Sequence, residues 1–256
     1  MEINKIYNEN CLDTMKRMED NFIDLIVTSP PYDNLRRYTR ESEWSFNIFK
    51  EIAKELYRIT KEGGVVVWIV NDATLKGSET GSSFKQALYF KEIGFNLHDT
   101  MIWKKDNPFN FGSNNCYIQS FEYMFVFSKN KPKSLNLIKD RLNKTYQEGK
   151  QHKQTRRTRN GDFMEYDDKL ISLQKYGKRY NIWNIPTATK IKSHSAVFPE
   201  KLANDHIISW SNKGDLVYDC FMGSGTTAKM AILNNRNYIG SEISKEYCDI
   251  AEERIS

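Results

Sequence analysis

A short segment near the C-terminus places two glycines between a strand-like run and a helix-like run. Residues 215–218 are mostly apolar and suit a buried strand, and Gly223 and Gly225 follow them. Glycine lets the backbone turn sharply and approach a ligand without an intervening Cβ. Residues 226–234 have a helical composition, and the free N–H groups at the start of a helix would face the ligand. The segment therefore predicts a turn that cradles a nucleotide-like cofactor.

The residues after this turn complete a cofactor-binding unit. Residues 236–240 predict a second strand that leads to Glu242, where a carboxylate accepts hydrogen bonds from both hydroxyls of a ribose. A last helix is expected over residues 244–255, with Ser244 as its N-cap. The glycine spacing also fits a dinucleotide fingerprint. Taken alone, the unit leaves open a nicotinamide, another adenosine-type cofactor and a purely structural turn.

Two strands cannot form a doubly wound sheet, so the other strands must lie upstream. Apolar runs predict strands over residues 22–28, 65–70, 95–103 and 121–127. Helical periodicity predicts helices over residues 46–59, which Gly63-Gly64 should stop, over 82–93, and around Leu202, Ile207 and Trp210. Because no helix is evident between the strands at 95–103 and 121–127, these two are expected to be antiparallel neighbours at the sheet edge.

The first predicted strand ends in Ser29-Pro30-Pro31-Tyr32, at the edge where open α/β sheets bind ligands. The exocyclic amino nitrogen of cytosine or adenine is a poor nucleophile because its lone pair is delocalised into the ring. The Ser29 hydroxyl and the Pro30 carbonyl are suitable acceptors for its two N–H groups, and two prolines hold them rigid. Tyr32 would stack on the base. A strand-ending turn with a packed tyrosine is the plain structural alternative.

Together, Thr28 to Tyr32 and Asp219 to Thr227 resemble the two motifs of the amino-methylating DNA methyltransferases. The order, with the catalytic turn first and the cofactor turn last, is similar to the permuted β class of that family. The resemblance implies a Rossmann-like α/β methyltransferase sheet with circularly permuted motifs, S-adenosylmethionine as cofactor, and double-stranded DNA with a flipped target base as substrate. Serine at position 29 favours cytosine N4 as the methylated atom, with adenine N6 as the alternative.

The resemblance also assigns residues to the site. Catalysis falls to Ser29, Pro30, Pro31 and Tyr32. The cofactor-binding residues that it implies are Asn10, Cys11, Ser29, Phe198, Asp219, Phe221, Gly223, Ser224, Gly225, Thr226 and Glu242. One departure is Cys220, which stands where the commonest family form has proline; it precedes the aromatic residue, and little change is expected from it.

Positive charge is concentrated in one block, residues 129–182. The block holds 15 Lys or Arg against six Asp or Glu, so it carries +9, while the rest of the chain carries −4. Such a block gains affinity for phosphate by counterion release, and aromatic residues interleaved with it suit base or sugar stacking. A solvated insertion that binds nothing is the alternative. The expected DNA-binding residues are Arg36, Arg37, Arg156, Arg157 and Arg159.

Together with this charge pattern, the resemblance implies three parts. Residues 1–128 would form the catalytic half of the methyltransferase domain, residues 129–182 a basic target-recognition insertion, and residues 183–256 the cofactor-binding half. The four cysteines and four histidines show no metal-ligand spacing, so no metal is expected. No membrane span or signal peptide is evident, which predicts a cytoplasmic protein.

Other functions stay open at this point. They are a nicotinamide-dependent oxidoreductase, an inactive nucleic-acid-binding module, and a methyltransferase that acts on RNA or on a protein amide. A cognate restriction endonuclease is a candidate partner, and both a monomer and a homodimer are compatible with the sequence.

Overall fold

The computed structural model describes residues 1–31, 44–107, 117–158, 160–188 and 199–256, and for residues 152–157 and 163–171 it describes the backbone only. The chain separates into two compact units. The larger comprises residues 1–136 and 181–256, and the smaller comprises residues 137–180. Within the described residues, no helix is long and apolar enough to cross a lipid bilayer.

The described residues form fourteen strands and six helices. The strands are β1 (Lys5–Tyr7), β2 (Ile23–Thr28), β3 (Thr60–Val70), β4 (Thr74–Leu75), β5 (Ser78–Glu79), β6 (Asn96–Lys104), β7 (Phe121–Ser128), β8 (Arg141–Leu142), β9 (Gln151–Arg157), β10 (Phe163–Ser172), β11 (Tyr176–Gly177), β12 (Ile182–Asn184), β13 (Leu216–Asp219) and β14 (Asn237–Ser241). The helices are α1 (Cys11–Lys16), α2 (Phe46–Ile59), α3 (Ser82–Glu92), α4 (Glu200–Trp210), α5 (Thr226–Leu233) and α6 (Lys245–Ile255).

Eight of the described strands form one sheet in the order β1-β14-β13-β2-β3-β7-β6-β12. All pairings are parallel except those of β7, which runs antiparallel to both β3 and β6. The central strands are mostly apolar because helices cover both faces of the sheet. In β3, for example, Val65 and Val67 pack on one face and Val66 and Trp68 on the other.

The two faces carry different helices. Buried residues of α4, α5 and α6 pack on one face, including Leu202, Ala231 and Ala251. Buried residues of α1, α2 and α3 pack on the other, including Met15 and Phe49. The result is a three-layer α/β arrangement, which confirms the predicted Rossmann-like fold with its permuted order of motifs.

Most predicted elements are confirmed, with two corrections. Helix α2 ends at Ile59 rather than at the glycine pair, because Thr60 is already extended (ψ 129°) and its hydroxyl donates to the Leu56 carbonyl at 2.5 Å; the glycines lie inside β3. Strands β6 and β7 are antiparallel neighbours as expected, but the sheet continues past them to β12. In β12, Trp183 is in register with Trp103 of β6.

The smaller unit, residues 137–180, lies within the predicted basic insertion. Its strands form two antiparallel pairs, β9 with β10 and β8 with β11. The guanidinium of Arg141 lies 4.8 Å from the ring centroid of Tyr180, which is 67% exposed. The unit contains 12 Lys or Arg and six Asp or Glu, so it is the most basic part of the fold.

Candidate active site

The predicted catalytic turn and the predicted cofactor turn begin at adjacent strand ends. Strands β2 and β13 are parallel neighbours, with Leu25 opposite Val217 and Ile26 opposite Tyr218. The chain leaves β2 through α2 to reach β3, and it leaves β13 through α5 to reach β14 on the opposite side. This reversal is a topological switch point, where open α/β sheets bind their ligands outside the carboxyl ends of the strands.

The first three residues of the catalytic turn lie at this edge. Pro30 is buried, whereas Ser29 and Pro31 are partly exposed. Proline has a fixed φ and no N–H, so the turn holds its carbonyl groups in a defined orientation. Tyr32, the fourth member, lies outside the described residues.

Glu242 lies one residue beyond the end of β14 and organises the cofactor turn. Its carboxylate accepts hydrogen bonds from the backbone N–H groups of Gly223 and Ser244, both at 2.8 Å. The residue remains partly exposed. Burial raises the pKa of Glu242, and the two backbone N–H groups oppose that shift. Because a carboxylate has about four lone-pair directions, Glu242 can accept further hydrogen bonds from a ligand.

The cofactor turn is also held by hydrogen bonds from Arg254, a residue that the sequence did not indicate as part of the site. The guanidinium of Arg254 in α6 donates to the carbonyl and the hydroxyl of Ser224 at 2.6 and 2.8 Å, and to the Thr226 hydroxyl at 3.3 Å. It also pairs with Glu200 at 2.9 Å. Ser224 and Thr226 are buried, so these predicted cofactor residues are occupied at least in part by contacts within the protein.

Asp219 is another predicted cofactor residue with partners inside the fold. Its carboxylate accepts hydrogen bonds from the hydroxyls of Thr28 and Thr227 at 2.6 and 2.7 Å, and from the N–H of Phe221 at 3.0 Å. Burial raises the pKa of Asp219, while these three donors oppose the shift. The two threonines were not assigned a role by the sequence analysis.

An aromatic cluster borders the two turns. The partly exposed ring of Phe221 lies 5.7 Å from that of Trp44 in an edge-to-face contact, and 6.3 Å from that of Trp68. Such contacts fix ring orientation because aromatic quadrupoles favour edge-to-face geometry. Trp44 was not anticipated from the sequence, since it stands outside any predicted element.

The opening segment also reaches this edge of the sheet. Strand β1 pairs with β14, and the carbonyl of Tyr7 accepts a hydrogen bond from the Glu242 N–H at 3.0 Å. Asn10 caps α1 by accepting from the Leu12 N–H at 2.9 Å, and Cys11 is buried. Burial raises the pKa of Cys11 to about 12, so this side chain is a neutral thiol.

The predicted DNA-binding residues are only partly described. Arg156 and Arg157 lie in β9, opposite Met164 and Phe163 of β10, and their side chains are outside the description. Three other predicted DNA-binding residues lie outside the described residues: Arg36, Arg37 and Arg159. The same is true of Phe198, a predicted cofactor residue.

One lysine of the basic block has a structural role. Lys129 is 8% exposed, and its ammonium donates to the Asn21 side chain and to the carbonyls of Tyr57 and Thr60, at 2.9, 3.1 and 3.2 Å. It is therefore committed to the core of the larger unit and is not available to phosphate.

A glycine-rich turn at the switch point, a carboxylate after β14 and a neighbouring Ser-Pro-Pro turn are the arrangement expected of a methyltransferase with an adenosine-type cofactor. Residues 23–253 match the model of the N6_N4_Mtase family, described as DNA methylase. The chain belongs to this family, and it is an S-adenosylmethionine-dependent DNA methyltransferase. The assignment to DNA methylases replaces the oxidoreductase alternative.

Known proteins agree with this assignment. The orphan methyltransferase M.BamHII of Bacillus amyloliquefaciens is 61% identical over 243 residues, which cover 92% of this chain and 89% of that protein. Among solved structures, the cytosine-N4-specific PvuII DNA methyltransferase has a TM-score of 0.73 at 21% identity, covering 100% of this chain and 87% of that one. M1.HpyAVI in complex with SAM has a TM-score of 0.65 at 22% identity, covering 98% of this chain and 99% of that one. At these identities, the two structures bear on the fold alone.

Proposed function

We propose that this enzyme methylates cytosine N4 in double-stranded DNA, with the target base flipped out of the helix. The observation that carries the proposal is the position of Ser29, which begins the catalytic turn at the end of β2, beside the cofactor turn at the end of β13. Serine supplies a neutral hydroxyl oxygen as acceptor for an amino group. Adenine N6 is the second candidate, because the same turn accepts from either amino group.

The bound cofactor would supply an electrophilic methyl group on a sulfonium centre. Glu242 would hold its ribose, since its carboxylate keeps lone pairs beyond the two that accept from Gly223 and Ser244. The Ser29 hydroxyl and the Pro30 carbonyl would accept the two amino N–H groups and so localise the nitrogen lone pair. Tyr32 would stack on the base. An amino group inside a duplex is inaccessible, which is why the proposal includes base flipping.

The smaller unit is the proposed target-recognition region. Its excess of basic residues favours binding to a polyanion through counterion release. Arg156, Arg157 and Arg159 are the proposed contacts there, and Arg36 and Arg37 are the proposed contacts after the catalytic turn. The relative M.BamHII is called an orphan methyltransferase, which favours action without a cognate endonuclease. A cytoplasmic location beside the DNA substrate is part of the same proposal.

Mass spectrometry of nucleosides tests the proposal directly. Unmethylated genomic DNA would be incubated with the protein and S-adenosylmethionine, digested and analysed, with RNA and peptide substrates in parallel. N4-methylcytosine is the expected product. If N6-methyladenine formed instead, the proposed base would be wrong, but the role of the catalytic turn would stand. If only RNA or peptide were methylated, DNA would not be the substrate.

Replacing Glu242 with glutamine should raise the dissociation constant of S-adenosylmethionine by about tenfold, because a hydrogen bond to a charged acceptor is worth ~1.5 kcal/mol. Glutamine keeps one acceptor oxygen at nearly the same volume. Calorimetry would compare methylthioadenosine with its 2′-deoxy analogue on both proteins. The wild type should prefer the ribose form more strongly than Glu242→Gln does; equal preference on both would remove the ribose assignment.

Cofactor affinity should also fall on acidification. Burial raises the pKa of Glu242 above its ordinary value of 4.5, so the carboxylate becomes protonated at a higher pH than an exposed glutamate does. The dissociation constant should therefore rise as the pH falls towards 4.5, and the rise should be absent in Glu242→Gln. The contribution of Glu242 to the free energy of unfolding should respond in the opposite sense. A raised pKa makes the folded state hold its proton more tightly, so this contribution declines as the pH rises from 4.5 through the pKa of the folded state.

A further inference from the structure

One buried carboxylate ties the two turns of the site together. Asp219 is 6% exposed, and each of its oxygens accepts from a threonine hydroxyl, Oδ1 from Thr28 and Oδ2 from Thr227. The Phe221 N–H donates to Oδ1 as well. A carboxylate has about four lone-pair directions, so most of them are used by the protein. Asp219 therefore acts on the site through the residues that it holds.

The two threonines belong to different parts of the site. Thr28 is the last residue of β2 and directly precedes Ser29. Thr227 lies in the first turn of α5, the helix that follows the cofactor turn. Both side chains are buried, at 1% exposure each. Each turn thus sends one hydroxyl to the same carboxylate.

These side-chain bonds connect the two strands beyond their backbone pairing. Strand β2 pairs with β13 at Leu25 with Val217 and at Ile26 with Tyr218. Further along, the Thr28 hydroxyl lies 3.5 Å from the Cys220 sulfur, and the Thr227 hydroxyl lies 3.4 Å from the Val27 carbonyl oxygen. The bonds lie at the point where each strand gives way to its functional turn.

We infer that Thr28 is a positioning residue, whose hydrogen bond to Asp219 fixes the catalytic turn relative to the cofactor turn. The inference rests on the proposed function, because only methyl transfer between groups held by the two turns requires their alignment. Thr227 donates to the other oxygen of the same carboxylate and so connects it to α5, the helix that follows the cofactor turn. The two hydroxyls therefore have separable roles, although they share one acceptor.

Alignment matters because methyl transfer requires the nucleophile, the methyl group and the leaving sulfur to lie in line. A misplacement of about 1 Å lowers such rates by ~10²-fold. Loss of the Thr28 bond leaves Asp219 anchored to Thr227 and Phe221, so the cofactor turn keeps its shape. The catalytic turn alone loses a restraint.

The test compares Thr28→Val with Thr227→Val, two substitutions that each remove one buried hydroxyl from the same carboxylate. Single-turnover methyl transfer to DNA, S-adenosylmethionine affinity by calorimetry and the thermal midpoint would be measured for each. Thr28→Val should lose about tenfold in rate with affinity within about twofold of the wild type. Thr227→Val should lose about tenfold in affinity. Thr28→Ser, which restores the hydroxyl, should recover most of the rate.

Thr60→Val is the control for loss of a buried hydroxyl as such. Thr60 is fully buried and donates to the Leu56 carbonyl, at the start of β3 and outside the site. The Thr60→Val variant should have a lower thermal midpoint, with an unchanged methyl-transfer rate and an unchanged affinity for S-adenosylmethionine. A purely structural role for Thr28 would make its variant behave in the same way.

A wild-type rate in Thr28→Val, or an affinity loss equal to that of Thr227→Val, would overturn the inference. Radioactive methyl incorporation into DNA counts the product whichever base accepts it, so a wrong base assignment leaves the test intact. Failure of DNA methylation as such would instead appear as an absence of transfer by the wild type. The two failures are therefore distinguishable.

Discussion

Replacing Tyr32 with alanine should lower the single-turnover methylation rate by about 100-fold while leaving S-adenosylmethionine affinity unchanged. Stacking of a base on an aromatic ring is worth ~1–3 kcal/mol, and about 2.7 kcal/mol corresponds to a factor of 100 in rate. A flipped base no longer stacks on its neighbours in the duplex. Stacking on the Tyr32 ring would compensate for much of this loss. Cofactor affinity should persist because Glu242, the proposed ribose ligand, is held by the backbone N–H groups of Gly223 and Ser244.

Tyr32→Phe is the matched control, since it keeps the ring and removes only the hydroxyl. Its rate should stay within about threefold of the wild type if stacking is the role of the residue. Fluorescence of 2-aminopurine at the target position would report base flipping in each variant. If Tyr32→Phe lost as much rate as Tyr32→Ala, the hydroxyl would be responsible and the stacking assignment would be wrong.

The central strands and the helices around the site were predictable from sequence because each carries a local pattern. The strand Ile23–Thr28 is mostly apolar, with Leu25, Ile26 and Val27 in succession, as expected for a strand covered on both faces. Helix α2 repeats buried residues at helical spacing, from Phe49 to Ile59. Helix α6 begins at the predicted cap, where the Ser244 hydroxyl accepts from the Tyr247 N–H. In these segments local preference and tertiary packing agree.

Short edge strands were not predictable, because their partners rather than their own residues define them. Strand β1 and strand β12 have three residues each, too few for a periodic pattern. Strand β12 forms beside β6, and the Trp103 indole donates to the Ile185 carbonyl at 2.7 Å just beyond it. Such contacts join residues far apart in the chain, which no local window can detect.

The same limit applies to the site. Glycines, prolines and acids directly after predicted strands indicated where the turns lie. The combination of these residue types at a strand end is typical of a ligand-binding turn. Thr28 belongs to the first motif, but nothing in the sequence indicated its positioning role, because its partner Asp219 is 191 positions away. Nothing indicated the role of Arg254 either, as a basic residue in the last turn of a helix is ordinary. Sequence therefore located the turns, whereas the residues that hold them in place required the structure.

Replacing Gly225 with alanine should lower the free energy of unfolding by about 3 kcal/mol. Gly225 has φ 79°, where a residue with a Cβ costs ~1–2 kcal/mol. A Cβ there would also lie 2.8 Å from the Ala251 Cβ and 3.0 Å from its Cα, and such overpacking costs ~1–3 kcal/mol. Thermal unfolding would measure the loss as ~6–12 °C.

Gly214→Ala separates the two contributions. Gly214 also has a positive φ, of 86°, but an added Cβ meets nothing within 4 Å, so only the backbone cost of ~1 kcal/mol should remain. Ala251→Gly should destabilise the wild type, because glycine weakens a helix by ~1 kcal/mol, yet in the Gly225→Ala background it should recover part of the lost stability, because it removes the contact between the two Cβ atoms. Equal losses in Gly225→Ala and Gly214→Ala would contradict the steric argument. The sequence suggested that Gly225 lets a ligand approach; its contact with Ala251 gives a second reason, since α6 packs where a side chain would stand.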